Sequence, residues 1–338
     1  MSRARSPAGS PEAPAAAGPE ITLVAHAGGD HVLGLLARVE DVLRDVVSGH
    51  GAALAGHAGS TIAAGGKRLR PLLVILAAGR EPDPPDGLVR AAAAVELVHS
   101  ATLVHDDVLD LAPLRRGRPT VFATAGRRAA TQTGDLLFSR AFALLARNGL
   151  PAQVRALSDA GSALARGELL QRADAWDAGV SLERYLLRCE LKTARLFEAA
   201  CELGAIAAGD TSGVLREFGR RIGLAFQIFD DVLDVAGPAD RTGKHRGTDL
   251  LDGTVTLPFI LARAADEGLG ALDPRSIREP AQAEAVCDRI AATGALEAAR
   301  RAALEHVGAA KDVVPVGMDA RQRRALLLVA DSVVARYS

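Results

Sequence analysis

The chain has 338 residues, a formal charge of −1, 49 % hydrophobic residues and only 3 % aromatic ones. Near-neutral charge gives no electrostatic reason to expect a nucleic-acid partner. Cys189, Cys201 and Cys287 are too far apart for a CxxC metal or redox pair and read as reduced thiols of a cytoplasmic protein. The core must be filled by Leu, Ala and Val, a mixture that favours helices over sheets.

Residues 1–21 are rich in Pro, Ala, Gly and Ser and are expected to form a disordered tail, leaving 22–338 as one folded domain. Arg3 and Arg5 are followed by no apolar stretch of the kind a secretory signal needs, and no run reaches the roughly eighteen apolar residues of a membrane span. No integral membrane segment is therefore expected. From Asp30 onward nearly every segment has helical period, as in HVLGLLARVEDVLRDVV, LVRAAAAVELVHSATLVHDDVLD and GVLREFGRRIGLAFQIFDDVLDVA. Alternating strand patterns with hairpin turns are not evident. Turn formers at Gly65-Gly66, Arg116 to Pro119, Asn148-Gly149, Gly237-Pro238 and Gly243 to Gly253 break the pattern, predicting an all-α, single-domain bundle of about ten helices.

The basic cluster comes first along the chain, at Gly65-Gly66-Lys67-Arg68-Leu69-Arg70-Pro71. Gly lets backbone approach an anion, and Lys and Arg give charge-assisted bonds to phosphate oxygens. A basic loop ahead of a Pro-started helix is the plainer alternative. Next comes Asp-Asp-Val-Leu-Asp at Asp106 to Asp110, and the same pentapeptide recurs at Asp230 to Asp234. On a helix, positions i, i+1 and i+4 place Asp106, Asp107 and Asp110 together, and likewise Asp230, Asp231 and Asp234. Both copies end helices that are apolar nearly all round, where the helix dipole disfavours negative charge. Recruited cations resolve the conflict. Mg²⁺ takes one or two carboxylates plus phosphate oxygens, so the two copies point to a diphosphate held between two metal-loaded walls.

Other polar residues have bland readings of their own. His99, two turns before Asp106, could be a satisfied core histidine. Lys192, beside Thr193 in an otherwise apolar helix, could snorkel to solvent. Gln227, three residues before Asp230, could make a structural hydrogen bond.

Together these segments resemble the trans-isoprenyl diphosphate synthases, the polyprenyl synthetase family, in particular its members making medium and long all-trans chains. The resemblance runs from Gly65 to Pro258 through GGKRLRP, HDDVLD with the following RRGRPT, GDLLFSRAF, GELLQ, KTARLF, FQIFDDVLD and GKHRGTDLLDGTVTLP. It implies the isoprenoid synthase type I fold, a helical bundle around a deep central cavity, built as a homodimer, with 22–338 as the catalytic domain. It further implies Asp106, Asp110 and Asp230 as Mg²⁺ ligands, with three ions on bound diphosphate, and Asp107, Asp231 and Asp234 in support. Arg115, Lys192, Thr193, Gln227 and Lys244 would bind the allylic diphosphate. Gly66, Lys67, Arg70, His99 and Arg116 would hold isopentenyl diphosphate. The expected reaction is 1'-4 trans condensation of the two substrates.

Ala101 and Thr102, five and four residues before Asp106, would line the product tunnel. Neither is large enough to close it, so a product longer than geranylgeranyl is expected, of the kind used as a quinone side chain. A geranylgeranyl or farnesyl synthase, or a subunit of a heteromeric synthase, is the alternative. One departure from the pattern is Thr254, where many relatives carry Lys.

Overall fold

The computed structural model describes residues 19–48, 52–63, 66–80, 84–115, 117–237 and 245–335. Among these the chain forms sixteen α-helical segments. They are α1 Pro19–Gly28, α2 Asp30–Ser48, α3 Ala52–Ala63, α4 Leu69–Ala78, α5 Asp86–Leu109, α6 Val121–Ala146, α7 Pro151–Ala173, α8 Leu182–Cys189, α9 Arg195–Ala207 and α10 Val214–Ala236. The rest are α11 Thr248–Leu251, α12 Leu257–Ala265, α13 Glu267–Gly270, α14 Pro280–Ala292, α15 Ala295–Val313 and α16 Ala320–Ala335. The count exceeds the expected ten because one-turn pieces such as α11 and α13 carry too few residues to show a period.

One strand pair departs from the helical reading. Leu114–Arg115 (β1) and Arg118–Pro119 (β2) pair antiparallel around Gly117, whose φ of 74° supplies the left-handed turn. Two residues per strand leave no alternation to detect.

Helix α5 is the central element and packs on α2, α4, α6 and α9. Residues 91–98 are buried on every face, because alanines at 91–94 let neighbouring backbones close in. By length and composition α5 could cross a bilayer, which amends the expectation that no stretch would; but 72 % of its most apolar window lies inside the fold, as suits a core helix. Helix α10 packs on α9 and α15, burying Leu215, Phe218, Ile222, Ile228 and Phe229.

Between α8 and α9 the helix widens into a π-helical turn, Glu190–Ala194. Two glycines make room for it. A Cβ on Gly167 of α7 would meet Lys192 N at 2.7 Å, and one on Gly223 of α10 would meet Ala194 Cα at 2.5 Å. The backbones of α7 and α10 thus close on this turn from two sides, and π-helical turns of this kind concentrate at functional sites.

Candidate active site

The first aspartate motif closes α5, with Asp110 as the C-cap residue donating its N–H to Asp106 O. Its three carboxylates do not converge as expected. Asp107 is 5 % exposed and turns toward the β-hairpin, where Arg115 Nε donates to it at 2.6 Å. One residue along a helix is about 100° around it, so Asp107 leaves the face shared by Asp106 and Asp110. Asp110 is exposed and accepts from Arg172 Nη2 at 2.6 Å. Arg172 also donates to Glu168 at 2.9 Å, and Lys192 Nζ reaches Glu168 at 2.6 Å and Gln171 at 3.2 Å. Burial works against ionisation of Glu168, yet Lys192 and Arg172 hold its carboxyl below the ordinary range. For Asp106, burial outweighs Lys192 and Arg115, and the carboxyl is pushed up to about 6.

The second motif lies in the last turns of α10, where two neutral side chains hold Asp231. Asp231 is 4 % exposed and accepts from Tyr185 Oη at 2.6 Å on one oxygen and from Gln227 Nε2 at 2.8 Å on the other. Burial and the nearby Asp249 charge raise its pKa. Gln227 Oε1 in turn accepts the Thr193 hydroxyl at 2.6 Å. Asp234 accepts the Asp249 N–H at 3.2 Å, which draws α11 against the motif, while Asp230 is exposed. Among the described residues no three His, Cys, Asp or Glu side chains are gathered to cage an ion by themselves.

The π-helical turn joins the two motifs. Lys192 acts electrostatically on Asp106, and the next residue, Thr193, bonds to Gln227 beside Asp231. These adjacent side chains thus reach opposite motifs.

The basic loop forms the third part. Arg68 adopts left-handed backbone, φ 49°, at the N-cap of α4 and turns inward. Its guanidinium donates to Glu40 at 2.5 Å, to Glu96 at 2.7 Å and to Ile62 O at 3.0 Å, tying α4 to α2, α5 and the end of α3. Flanking it, Lys67 is exposed and pairs with Glu20 of α1 at 2.5 Å, whereas the Arg70 guanidinium lies 4.4 Å over the Phe197 ring. Phe197 packs on Phe226, the neighbour of Gln227, at 5.4 Å, which brings Arg70 to the side of the second motif. Gly66 is half-buried beside Lys67. His99 is half-buried on α5, where its carbonyl accepts the Thr102 hydroxyl at 2.7 Å; Ala101 is wholly buried and Thr102 half-buried. Arg116 and Lys244 lie outside the described residues.

Sequence reasoning missed four members of this array. Glu168 and Gln171 stood inside the GELLQ segment, and Arg172 follows it directly, so a signal was present. Tyr185, fully buried, stood in an amphipathic stretch with nothing to separate it from an ordinary core phenol.

The sequence matches the Polyprenyl synthetase family over residues 52–291. The chain belongs to the polyprenyl synthetase family. Among its relatives, heptaprenyl diphosphate synthase component 2 of Geobacillus stearothermophilus is 40 % identical, over 78 % of this chain and 83 % of that protein. Geranylgeranyl diphosphate synthase of Methanosarcina mazei is 36 % identical, over 81 % of this chain and 86 % of that protein. The crystal structure of a polyprenyl synthase from Caulobacter crescentus, complexed with calcium and isoprenyl diphosphate, superposes with a TM-score of 0.84 at 35 % identity, covering 94 % of this chain and 98 % of that one. This polyprenyl synthetase is thus a prenyltransferase of the all-α fold its helical pattern predicts.

Proposed function

We propose that this polyprenyl synthetase elongates an allylic diphosphate with isopentenyl diphosphate to a trans polyprenyl diphosphate longer than geranylgeranyl, of quinone side-chain type. The observation that carries the reading is the π-helical turn set between two aspartate motifs, with cations on one side and oriented oxygens on the other. The donor set fits Mg²⁺: it is all oxygen, and a cation would favour the charged form of the half-buried Asp106 carboxyl, which desolvation pushes up to about 6. Asp106, Asp110 and Asp230 would hold the metal, and Asp107, Asp231 and Asp234 would orient it through their own hydrogen bonds. Bound Mg²⁺ would neutralise the allylic diphosphate and stabilise charge on it as it departs. In the same family, the Caulobacter structure pairs a divalent cation with isoprenyl diphosphate.

Arg115 and Lys192 add fixed positive charge on the first side, with Lys244 assigned there by the family pattern. Thr193 and Gln227 offer oxygen to the allylic carbon as positive charge develops on it. Gly66, Lys67, Arg70, His99 and Arg116 would orient isopentenyl diphosphate so that its double bond attacks that carbon, and a proton then leaves to the released diphosphate. Lys67 exchanges Glu20 for phosphate in this reading, which an exposed ion pair permits at little cost.

The test is incubation of purified protein with Mg²⁺, isopentenyl diphosphate and dimethylallyl, geranyl, farnesyl or geranylgeranyl diphosphate in turn, followed by product sizing. Elongation past geranylgeranyl is expected; no elongation with any primer sinks the reading. Ala101→Phe should shorten the product, and an unchanged length distribution refutes the tunnel assignment. A homodimer is proposed. The component 2 relative favours a second reading, a subunit of a heteromeric synthase. Activity of the isolated chain decides between them.

A further inference from the structure

Tyr185 is 0 % exposed, among the largest wholly buried side chains of the molecule, and its hydroxyl donates to Asp231 beside the Cys189 thiol. What that bond controls lies two residues further along. Tyr185 donates to one oxygen of Asp231, and the other accepts the Gln227 amide N–H at 2.8 Å. The two ends of an amide differ. Once the nitrogen of Gln227 faces Asp231, its oxygen must face Thr193, and it accepts the Thr193 hydroxyl hydrogen at 2.6 Å. That commits the single hydrogen of Thr193 inward and leaves lone pairs on its outer side.

We infer that Tyr185 is a positioning residue for prenyl transfer, fixing the polarity of the Asp231–Gln227–Thr193 chain so that Thr193 turns oxygen, not hydrogen, toward the allylic carbon. The inference rests on the prenyl-transfer reading above. Remove the phenol hydroxyl, and the Asp231 carboxylate can turn about its Cβ–Cγ bond and lose its hold on the amide. A flipped Gln227 then donates to Thr193, whose hydrogen is released toward a centre where positive charge develops. In the reading above Thr193 and Gln227 face the allylic carbon while Arg115, Lys192 and the metal carry most of the diphosphate charge, so the loss from Tyr185→Phe falls mainly on the chemical step.

The experiment uses the full chain and three sets of variants. Tyr185→Phe deletes one oxygen; kcat should fall on the order of tenfold, with KM for both diphosphates within about twofold and Tm lowered by a few degrees. Asp231→Asn should also lower kcat, because an amide that keeps its oxygen on the Tyr185 hydroxyl turns nitrogen to Gln227, which then presents nitrogen to Thr193. Adding Gln227→Glu to Asp231→Asn restores an acceptor for Thr193 and should recover part of that loss. This rescue does not depend on the folding of the Tyr185 variant. Gln227→Leu and Thr193→Val report on the underlying reading. If these two lose activity while Tyr185→Phe keeps wild-type kcat, or changes only KM, the positioning role is overturned and the prenyl-transfer reading stands. A double variant no better than Asp231→Asn overturns it as well. If Gln227→Leu and Thr193→Val both keep wild-type kcat, the assignment of this part of the active site is itself wrong.

Discussion

The two Asp-Asp-Val-Leu-Asp segments are identical in sequence and end two buried helices, yet the structure gives them different surroundings. The first is met by cations from separate elements: Arg115 from the hairpin on Asp107, Arg172 from α7 on Asp110, and Lys192 from the π-helical turn acting on Asp106. In the second, Asp231 is met by a phenol and an amide, from Tyr185 and Gln227, and Asp234 by the Asp249 backbone N–H. Mobile anionic substrate needs cations that can be shared; a developing cation on carbon needs oxygens that cannot rotate. The first wall suits the former and the second suits the latter, so a repeated motif here serves two kinds of electrostatics.

The largest effect should come from the one feature the two walls share. Asp106→Asn and Asp230→Asn each remove an expected metal ligand, and elongation should fall on the order of a thousandfold in both. Steady-state rates at saturating Mg²⁺ measure this. A small loss in one variant alone would make the walls unequal in metal binding as well as in their partners. The next effect separates them. Arg115→Met leaves the buried Asp107 carboxylate without a bond it now makes, and KM for the allylic diphosphate should rise roughly tenfold with Tm lowered. A change confined to isopentenyl diphosphate would place Arg115 on the wrong substrate.

The pH response should also differ between the walls. Burial raises Asp106 from an ordinary value of 3.8 to about 6. Between these values the metal-free folded chain keeps a proton that the unfolded chain has lost, so this group's contribution to stability declines as pH rises through that window. In the proposed site Mg²⁺ would have to displace the same proton. The half-saturating Mg²⁺ concentration should therefore be flat above pH 6 and rise up to tenfold per unit below it, while Asp106→Asn removes the slope. A flat titration from pH 5 to 7 in the wild-type chain would detach Asp106 from the metal.

How much of this could be read beforehand depended on distance along the chain. The all-α bundle, the central α5 and both aspartate motifs were readable because period and spacing are local. Arg68 was read only as part of a basic loop, since the carboxylates that draw it inward, Glu40 and Glu96, lie 28 residues away on either side. The convergence of Asp107 with its neighbours failed differently: the 100° step of the helix already takes it off their face, and Arg115, on a hairpin too short to predict, meets it there. The π-helical turn showed only as Lys192-Thr193 interrupting an apolar helix, and the glycines that accommodate it, Gly167 and Gly223, sit on other helices.

The smallest predicted effect concerns Thr254, where many relatives have Lys. It is half-buried between Gly253, packed under Trp176, and Val255, whose carbonyl accepts from Arg188. Its backbone N–H donates to Asp249 O at 2.7 Å, in the segment that also supports Asp234. A lysine here would bring to the second wall the kind of charge that now comes from the first. Because that charge would sit on a long side chain with an exit to solvent, its gain should be modest. Thr254→Lys should lower KM for the allylic diphosphate by about threefold, with kcat little changed and the gain shrinking as salt is raised. A tenfold or larger gain would mean that this enzyme lacks cationic grip at the allylic site, and that Arg115 and Lys192 do not supply enough of it. A loss of kcat would mean that the second wall does not tolerate an added cation, which is the stronger form of the division between the two motifs.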